Sequence, residues 1–195
     1  MESILVTGGA GRVGSQLIKK LLQVYPNTEI ISLDNYSTGS RASHQPGAIY
    51  MEGDTCDISD IFQEHRFDKI FHLGEALGAQ ESFHDYEVAS NSILIGTTNL
   101  LKFATVTGAY LIYSQSLLRE EQQTPLSWMK AKQVEQIKLL NKWFGLDYTL
   151  CYFANLDRAE QALVDFFILA SQSNKQEAFH TDSPKSKSFL KKIFS

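Results

Sequence analysis

The feature that most constrains the fold of this chain lies between Ser3 and Gly14. The apolar run Ser3-Ile4-Leu5-Val6-Thr7 leads directly into Gly8-Gly9-Ala10-Gly11-Arg12-Val13-Gly14, and an amphipathic pattern follows. Val13, Leu17, Leu21 and Val24, with Ile18 and Leu22 beside them, recur at three- and four-residue steps, which predicts a helix stopped by Pro26. A buried strand, a glycine turn and a helix form the repeating half of a parallel sheet, whose consecutive strands need a crossover.

The rest of the chain repeats this alternation. Apolar runs predict strands from Glu29 to Leu33, closed by Asp34, and from Ala48 to Met51, Lys69 to Leu73, Ala109 to Tyr113 and Tyr148 to Phe153. Helical patterns run from Ile93 to Thr105 and from Met129 to Phe144; in the second, Val134, Ile137, Leu140 and Phe144 share a face. Strands that are apolar throughout, alternating with helices, indicate an α/β fold: a doubly wound, mostly parallel Rossmann sheet of about six strands, covered on both faces.

Around Asn174 the sequence turns polar, so residues 1–174 read as one domain and residues 175–195 as a tail. The tail holds five basic and two acidic residues, leaving the body at −7 within a net charge of −4. An acidic body gives no general attraction for nucleic acid. In the tail, Phe189, Leu190, Ile193 and Phe194 can form one apolar stripe beside Lys191 and Lys192; docking on the body and a frayed terminus are both compatible with so short a segment. No run reaches transmembrane or signal-peptide length, and Cys56 and Cys151 stand far apart, suggesting neither a metal site nor a disulfide. The expectation is a cytoplasmic protein with two small buried thiols.

The glycine loop carries the functional signal. Amides at a helix N-terminus attract a diphosphate, provided no side chain stands in the way. Gly8 permits the tight turn, Gly11 opens the backbone to a pyrophosphate and Gly14 lets the helix pack near the strand. Asp34, twenty residues beyond Gly14 at the end of the next strand, is placed to accept both ribose hydroxyls of an adenosine. A simple loop cap is the alternative for Asp34. A carboxylate there repels a 2′-phosphate, which favours NAD over NADP. Arg12 can reach a phosphate or lie solvated in the first turn.

These segments, with Leu33-Asp34-Asn35-Tyr36-Ser37-Thr38-Gly39-Ser40-Arg41, Gly53-Asp54-Thr55-Cys56-Asp57 and Phe71-His72-Leu73, resemble the extended short-chain dehydrogenase/reductases. Within them the likeness is to NAD-dependent nucleotide-sugar epimerases and dehydratases of the UDP-glucose 4-epimerase type, from about Ser3 to Asn155. The resemblance implies that Gly8, Gly11, Arg12 and Val13 line the diphosphate, Asp34 and Asn35 the ribose, Asp57 and Ile58 the adenine, and Leu73 and Gly74 the far side of NAD. Asp54 and Asp57 can equally cap the helix near Ile58. His72, on a buried strand, reads as a satisfied core histidine.

The departures from the family are as informative. Its chemistry uses a Tyr-x-x-x-Lys pair, and the resemblance sets Trp128 on the tyrosine and Lys132 on the lysine. Indole exchanges no proton near neutral pH. Ser116 matches the serine that hydrogen-bonds the reacting oxygen, while Lys132 either holds a ribose or is an exposed helix lysine. Glu75 replaces a small residue and brings a carboxylate that repels the cofactor or is protonated. Asn91 lies two residues farther from Gly96 than the family's spacing, Cys151 stands where the family has arginine, and the short remainder beyond Asn155 leaves no room for the family's C-terminal substrate lobe. The expectation is a catalytically impaired NAD-binding protein, a sensor, scaffold or subunit. Its alternatives are an enzyme with a rearranged or partner-completed site, and a structural relic that binds nothing. Leu139, Trp143 and Phe144 can serve either a homodimer interface or the core.

Overall fold

The computed structural model describes residues 2–75, 83–116, 124–153, 160–173 and 175–180. In chain order the strands are β1 (Ser3–Thr7), β2 (Glu29–Asp34), β3 (Ile49–Glu52), β4 (Lys69–His72), β5 (Tyr110–Ser116), β6 (Tyr148–Phe153) and β7 (Glu177–His180). The helices are α1 (Arg12–Val24), α2 (Ile58–Ile61), α3 (Phe83–Asn91), α4 (Thr97–Thr107), α5 (Pro125–Phe144) and α6 (Glu160–Gln172). All strand pairs are parallel, in the order β3-β2-β1-β4-β5-β6-β7. The order reverses between β1 and β4, and in such sheets a ligand crevice opens at the carboxyl ends of these strands.

Strand alternation divides the core. Leu5, Ile31, Leu33, Ile70, Leu111 and Leu150 face α2, α4 and α5, whose Ile58, Leu100, Leu101 and Ile137 are buried against them. Ile4, Val6, Ile30, Phe71 and Ile112 face the other way, onto Leu17, Ile18 and Leu21 of α1 and Phe167 of α6. Both faces are therefore covered, as the apolar strand runs require.

Three expectations need correction. The sheet has seven strands, and β7 pairs with β6 from Leu150↔Glu177 to Phe153↔His180. The compact unit therefore runs past residue 174 into what reads as tail, because a polar turn can lead into an edge strand as well as out of a domain. The pattern from Ile93 to Thr105 is not one α-helix either: a π-helical turn, Ser92–Gly96, precedes α4. A π turn accommodates extra residues in a helix, which fits the long spacing between Asn91 and Gly96. Phe144, grouped with the inward face of α5, is exposed, whereas Ile137 is fully buried. Residues 181–195, including the apolar stripe of the tail, lie outside the described residues.

Candidate functional site

Two adjoining hollows, of about 270 and 280 Å³, open at the sheet's carboxyl edge beside the glycine loop. Gly8, Gly11, Thr38, Leu73 and Glu75 line both. The first adds Asp34, Asn35, Asp54, Cys56, Gly74 and Asn91 among others, and the second adds Arg12, Val13, Gly14, Ser114, Phe153 and Phe167.

The loop is built by close approach. Gly8 has φ +72°, and a Cβ there would lie 2.7 Å from Gly74 Cα, so only glycine serves at this crossing of the β1 and β4 ends. A Cβ on Gly14 would overlap the Gly8 carbonyl, whereas one on Gly11 would meet only that carbonyl, at 3.2 Å. The outer side of Gly11 is thus open. Gly11 caps α1 with extended backbone and no side-chain bond, and the first turn contains no acidic residue. This open, uncapped helix start fits a diphosphate.

Asp34 is buried beneath the loop. Its Oδ2 accepts the Ala10 N–H at 2.8 Å and its Oδ1 the Tyr36 N–H at 2.9 Å, with Tyr36 in the left-handed region at φ 55°. Each carboxylate oxygen has two lone pairs, so one acceptor position per oxygen remains for ribose hydroxyls. Asp34 is a loop clamp that lines the first hollow. Asn35 donates to Asp54 Oδ2 at 2.8 Å, and Asp54 Oδ1 accepts from Cys56 N–H at 2.9 Å. Burial pushes the Asp54 carboxyl up, but bonds from Cys56 and Asn35 outweigh it and hold the group below its ordinary value. Asp54 is thus the cap of a short 3₁₀ turn, Thr55–Asp57.

Asp57 and Ile58, which the resemblance implies beside the adenine, are not among the residues lining the hollows. Asp57 is exposed and makes no side-chain cap at α2, and Ile58 is fully buried in the core. The backbone turns inward earlier, so Gly53, Asp54, Thr55 and Cys56 form that wall. Cys151 is buried, but Cys56 is half-buried at the cleft rather than in the core. Leu73 and Gly74 line the cleft, both amides donating to Thr7 Oγ1, at 3.2 and 3.1 Å.

A buried polar cluster stands beside them. Glu75 Oε2 meets Lys130 Nζ at 2.6 Å, while Oε1 accepts from Tyr113 Oη at 2.8 Å and Thr97 Oγ1 at 2.9 Å. Thr97 spends its only hydroxyl proton on Glu75, so its 3.0 Å contact with His72 requires Nε2–H to donate; Nδ1 then accepts from Thr7 Oγ1 at 2.7 Å. His72 is the satisfied core histidine expected, and burial lowers it to about 4, against the opposing pull of Glu75. Burial also pushes Glu75 up, but the Lys130 charge and the surrounding donors prevail and keep it below the usual carboxylate range. Glu75 is therefore held ionised, and the alternatives of protonation or naked repulsion give way to pairing with Lys130. Tyr113, buried against that carboxylate, is raised well above 10.

Lys130, and not Lys132, reaches the Glu75 cluster. Helix α5 starts at a reciprocal cap between Thr124 and Ser127 and buries Leu126, Met129, Lys130, Gln133 and Ile137. Two positions on a helix are about 200° apart, so Trp128 and Lys132 face the other way. Lys132 Nζ is bound by both Glu135 oxygens, at 2.8 and 2.9 Å, and Trp128 is 57% exposed. The sequence contained the signal: Lys130 lies four before Val134 and seven before Ile137, on the apolar face. Ser116 ends β5 opposite Phe153; its side chain lies outside the described residues. Among the described residues no group of three His, Cys, Asp or Glu could hold a metal, and no helix is long and apolar enough to cross a membrane.

Comparison with known proteins agrees with this geometry. A putative UDP-glucose 4-epimerase from Methanocaldococcus jannaschii is 25% identical over 96% of this chain and 68% of its own length. The structure of Thermotoga maritima UDP-glucose 4-epimerase with UDP-glucose matches at 26% identity and TM-score 0.66, covering 78% of this chain and 55% of that one. The Brucella ovis UDP-glucose 4-epimerase in complex with NAD shares the fold, at 23% identity and TM-score 0.68, over 80% and 52%. The chain thus spans about half the length of these two solved enzymes. The model of the NAD dependent epimerase/dehydratase family matches residues 4–125, more than half of the sequence. The family model spans the glycine loop, Asp34 and the first strands of the sheet, and the chain belongs to the NAD-dependent epimerase/dehydratase family, whose cofactor is NAD.

Proposed function

We propose that this chain binds NAD across the cleft but does not perform the family's acid–base step, and that it acts as a sensor, scaffold or subunit. Asp34 carries the first part. Its carboxylate clamps the loop and retains acceptor capacity for both ribose hydroxyls, while the open start of α1 would hold the diphosphate. When bound, NAD supplies a hydride acceptor.

The second part rests on α5. The inward residue one turn before Lys130 is Leu126, which has no proton to exchange, and Trp128 points outward. Tyr113 donates to Glu75 and is a weaker acid than free tyrosine, so it is poorly suited to deprotonate a sugar hydroxyl. Calorimetry with NAD, NADH and NADP tests binding; absence of binding favours the relic reading. Turnover assays with UDP-, GDP- and dTDP-sugars test chemistry. A rearranged-site enzyme has one observation in its favour, the meeting of Lys130 and Tyr113 at a carboxylate that lines the cleft. Wild-type turnover that disappears in Lys130→Ala while the variant remains folded by circular dichroism would establish it.

Leu139, Trp143 and Phe144, all exposed on α5, support association with a second copy or another chain, which sedimentation can detect. Two unpaired thiols, Cys56 and Cys151, are in keeping with a cytoplasmic setting.

A further inference from the structure

Of the acidic residues that line the hollows, Glu75 is the one shared by both. Its carboxylate is nonetheless turned into the wall, and its side chain is only 4% exposed. Tyr113 and Thr97 saturate one oxygen and fix the group's rotation. Lys130, which lines neither hollow, approaches the other oxygen at 2.6 Å, and Glu75 is its one partner among the described residues.

We propose that Lys130 is a positioning residue for dinucleotide binding: it neutralises Glu75 from inside the wall, so that the cleft accepts a diphosphate despite its carboxylate. This rests on the reading that the chain binds NAD. The physical reason is that a charge pair at contact presents a dipole, and a dipole's field falls off faster than that of a bare carboxylate in a low-dielectric wall. The same pairing argues against Glu75 as a general base, since a carboxylate held by an ammonium and two hydroxyls has little affinity for a further proton. A lysine with a purely structural role would affect folding alone. A neutralising lysine affects phosphate-bearing ligands selectively, and its loss is corrected by removing the carboxylate charge.

The test is a double-mutant cycle on the whole chain, with NAD affinity from calorimetry, adenosine affinity from ligand-observed NMR, and thermal melting. Lys130→Met is expected to weaken NAD on the order of tenfold while adenosine, which has no phosphate, binds as before. Glu75→Gln with Lys130→Met is expected to return NAD affinity to about the wild-type level, and Lys130→Arg to retain it. Glu75→Gln alone leaves an unopposed ammonium and is expected to tighten NAD; this variant decides the matter if Lys130→Met fails to fold. Unchanged NAD affinity in folded Lys130→Met, no recovery in the double variant, or unchanged or weaker NAD binding in Glu75→Gln overturns the proposal alone. Wild-type protein that binds no NAD overturns both this inference and the reading beneath it.

Discussion

Lys130 and Lys132, two positions apart on α5, occupy opposite environments: the first is buried 2.6 Å from Glu75, and the second lies in solvent, held by Glu135. Breaking a buried ion pair leaves a charge uncompensated and costs about 3–5 kcal/mol, whereas an exposed pair on a helix contributes about 0.3–0.5 kcal/mol. Lys130→Ala is therefore expected to lower the urea midpoint steeply and Lys132→Ala hardly at all. Lys132→Ala should also leave NAD affinity unchanged. Equal effects of the two substitutions in urea titration would show that the helix does not sit in this register.

Asp34 clamps the loop and is proposed to hold the ribose, and its replacement tests both roles. Asp34→Ala removes the acceptors of the Ala10 and Tyr36 amides and the proposed acceptors of the ribose hydroxyls. Each bond to the charged group is worth about 1.5–3 kcal/mol. Calorimetry should show weaker NAD binding, and the preference for NAD over NADP should shrink, because a like-charge repulsion of about 1–4 kcal/mol at contact is removed. Undiminished NAD affinity in this variant would leave Asp34 as a loop clamp only.

The glycine loop and the place of Asp34 are legible in the sequence because they are local. Gly8, Gly11, Gly14 and Asp34 lie within one strand-helix-strand unit, where φ, close approach and strand ends follow from short-range pattern. The Glu75 cluster joins residues from β4, α4, β5 and α5, and such a meeting depends on strand order and helix register. The helical period nevertheless places Lys130 on the apolar face of α5, whereas the Tyr-x-x-x-Lys spacing alone points to Lys132. The place of the Ile58 side chain is likewise not legible locally, because its burial depends on the core that assembles beneath α2. β7 is not legible in the sequence, because its short segment follows a polar turn and finds its partner only in β6.

The buried imidazole gives the fold an acid limit. His72 has a value of about 4 in the folded protein, below its ordinary 6.5, so the unfolded chain binds more protons between these values. The stability is whole above about pH 6.5 and is lost as pH falls toward 4, to a total on the order of 3 kcal/mol. Glu75, whose carboxyl is also depressed, adds a loss in the same direction below 4.5. Urea unfolding between about pH 7.5 and about pH 5 should show this slope, and His72→Gln should flatten it. A slope unaltered by that substitution would assign the acid sensitivity to other groups.

Trp128→Tyr is expected not to create measurable turnover. The substitution restores the family's Tyr-x-x-x-Lys text with Lys132, yet both positions lie on the outward face of α5, where Trp128 is 57% exposed and Lys132 sits 5.8 Å from its ring centroid. A phenol there meets water rather than the cleft, so it cannot supply the 10²–10⁴-fold that a positioned acid–base group typically contributes. Its stability should stay within about 0.5 kcal/mol of wild type, as for most exposed substitutions. Assays with UDP-, GDP- and dTDP-sugars, following sugar conversion and transient NADH absorbance, check both proteins side by side. Turnover that appears in Trp128→Tyr and vanishes when Lys132→Ala is added would mean that α5 rotates to bring its outer face to the cleft, and would return Lys132 to the site.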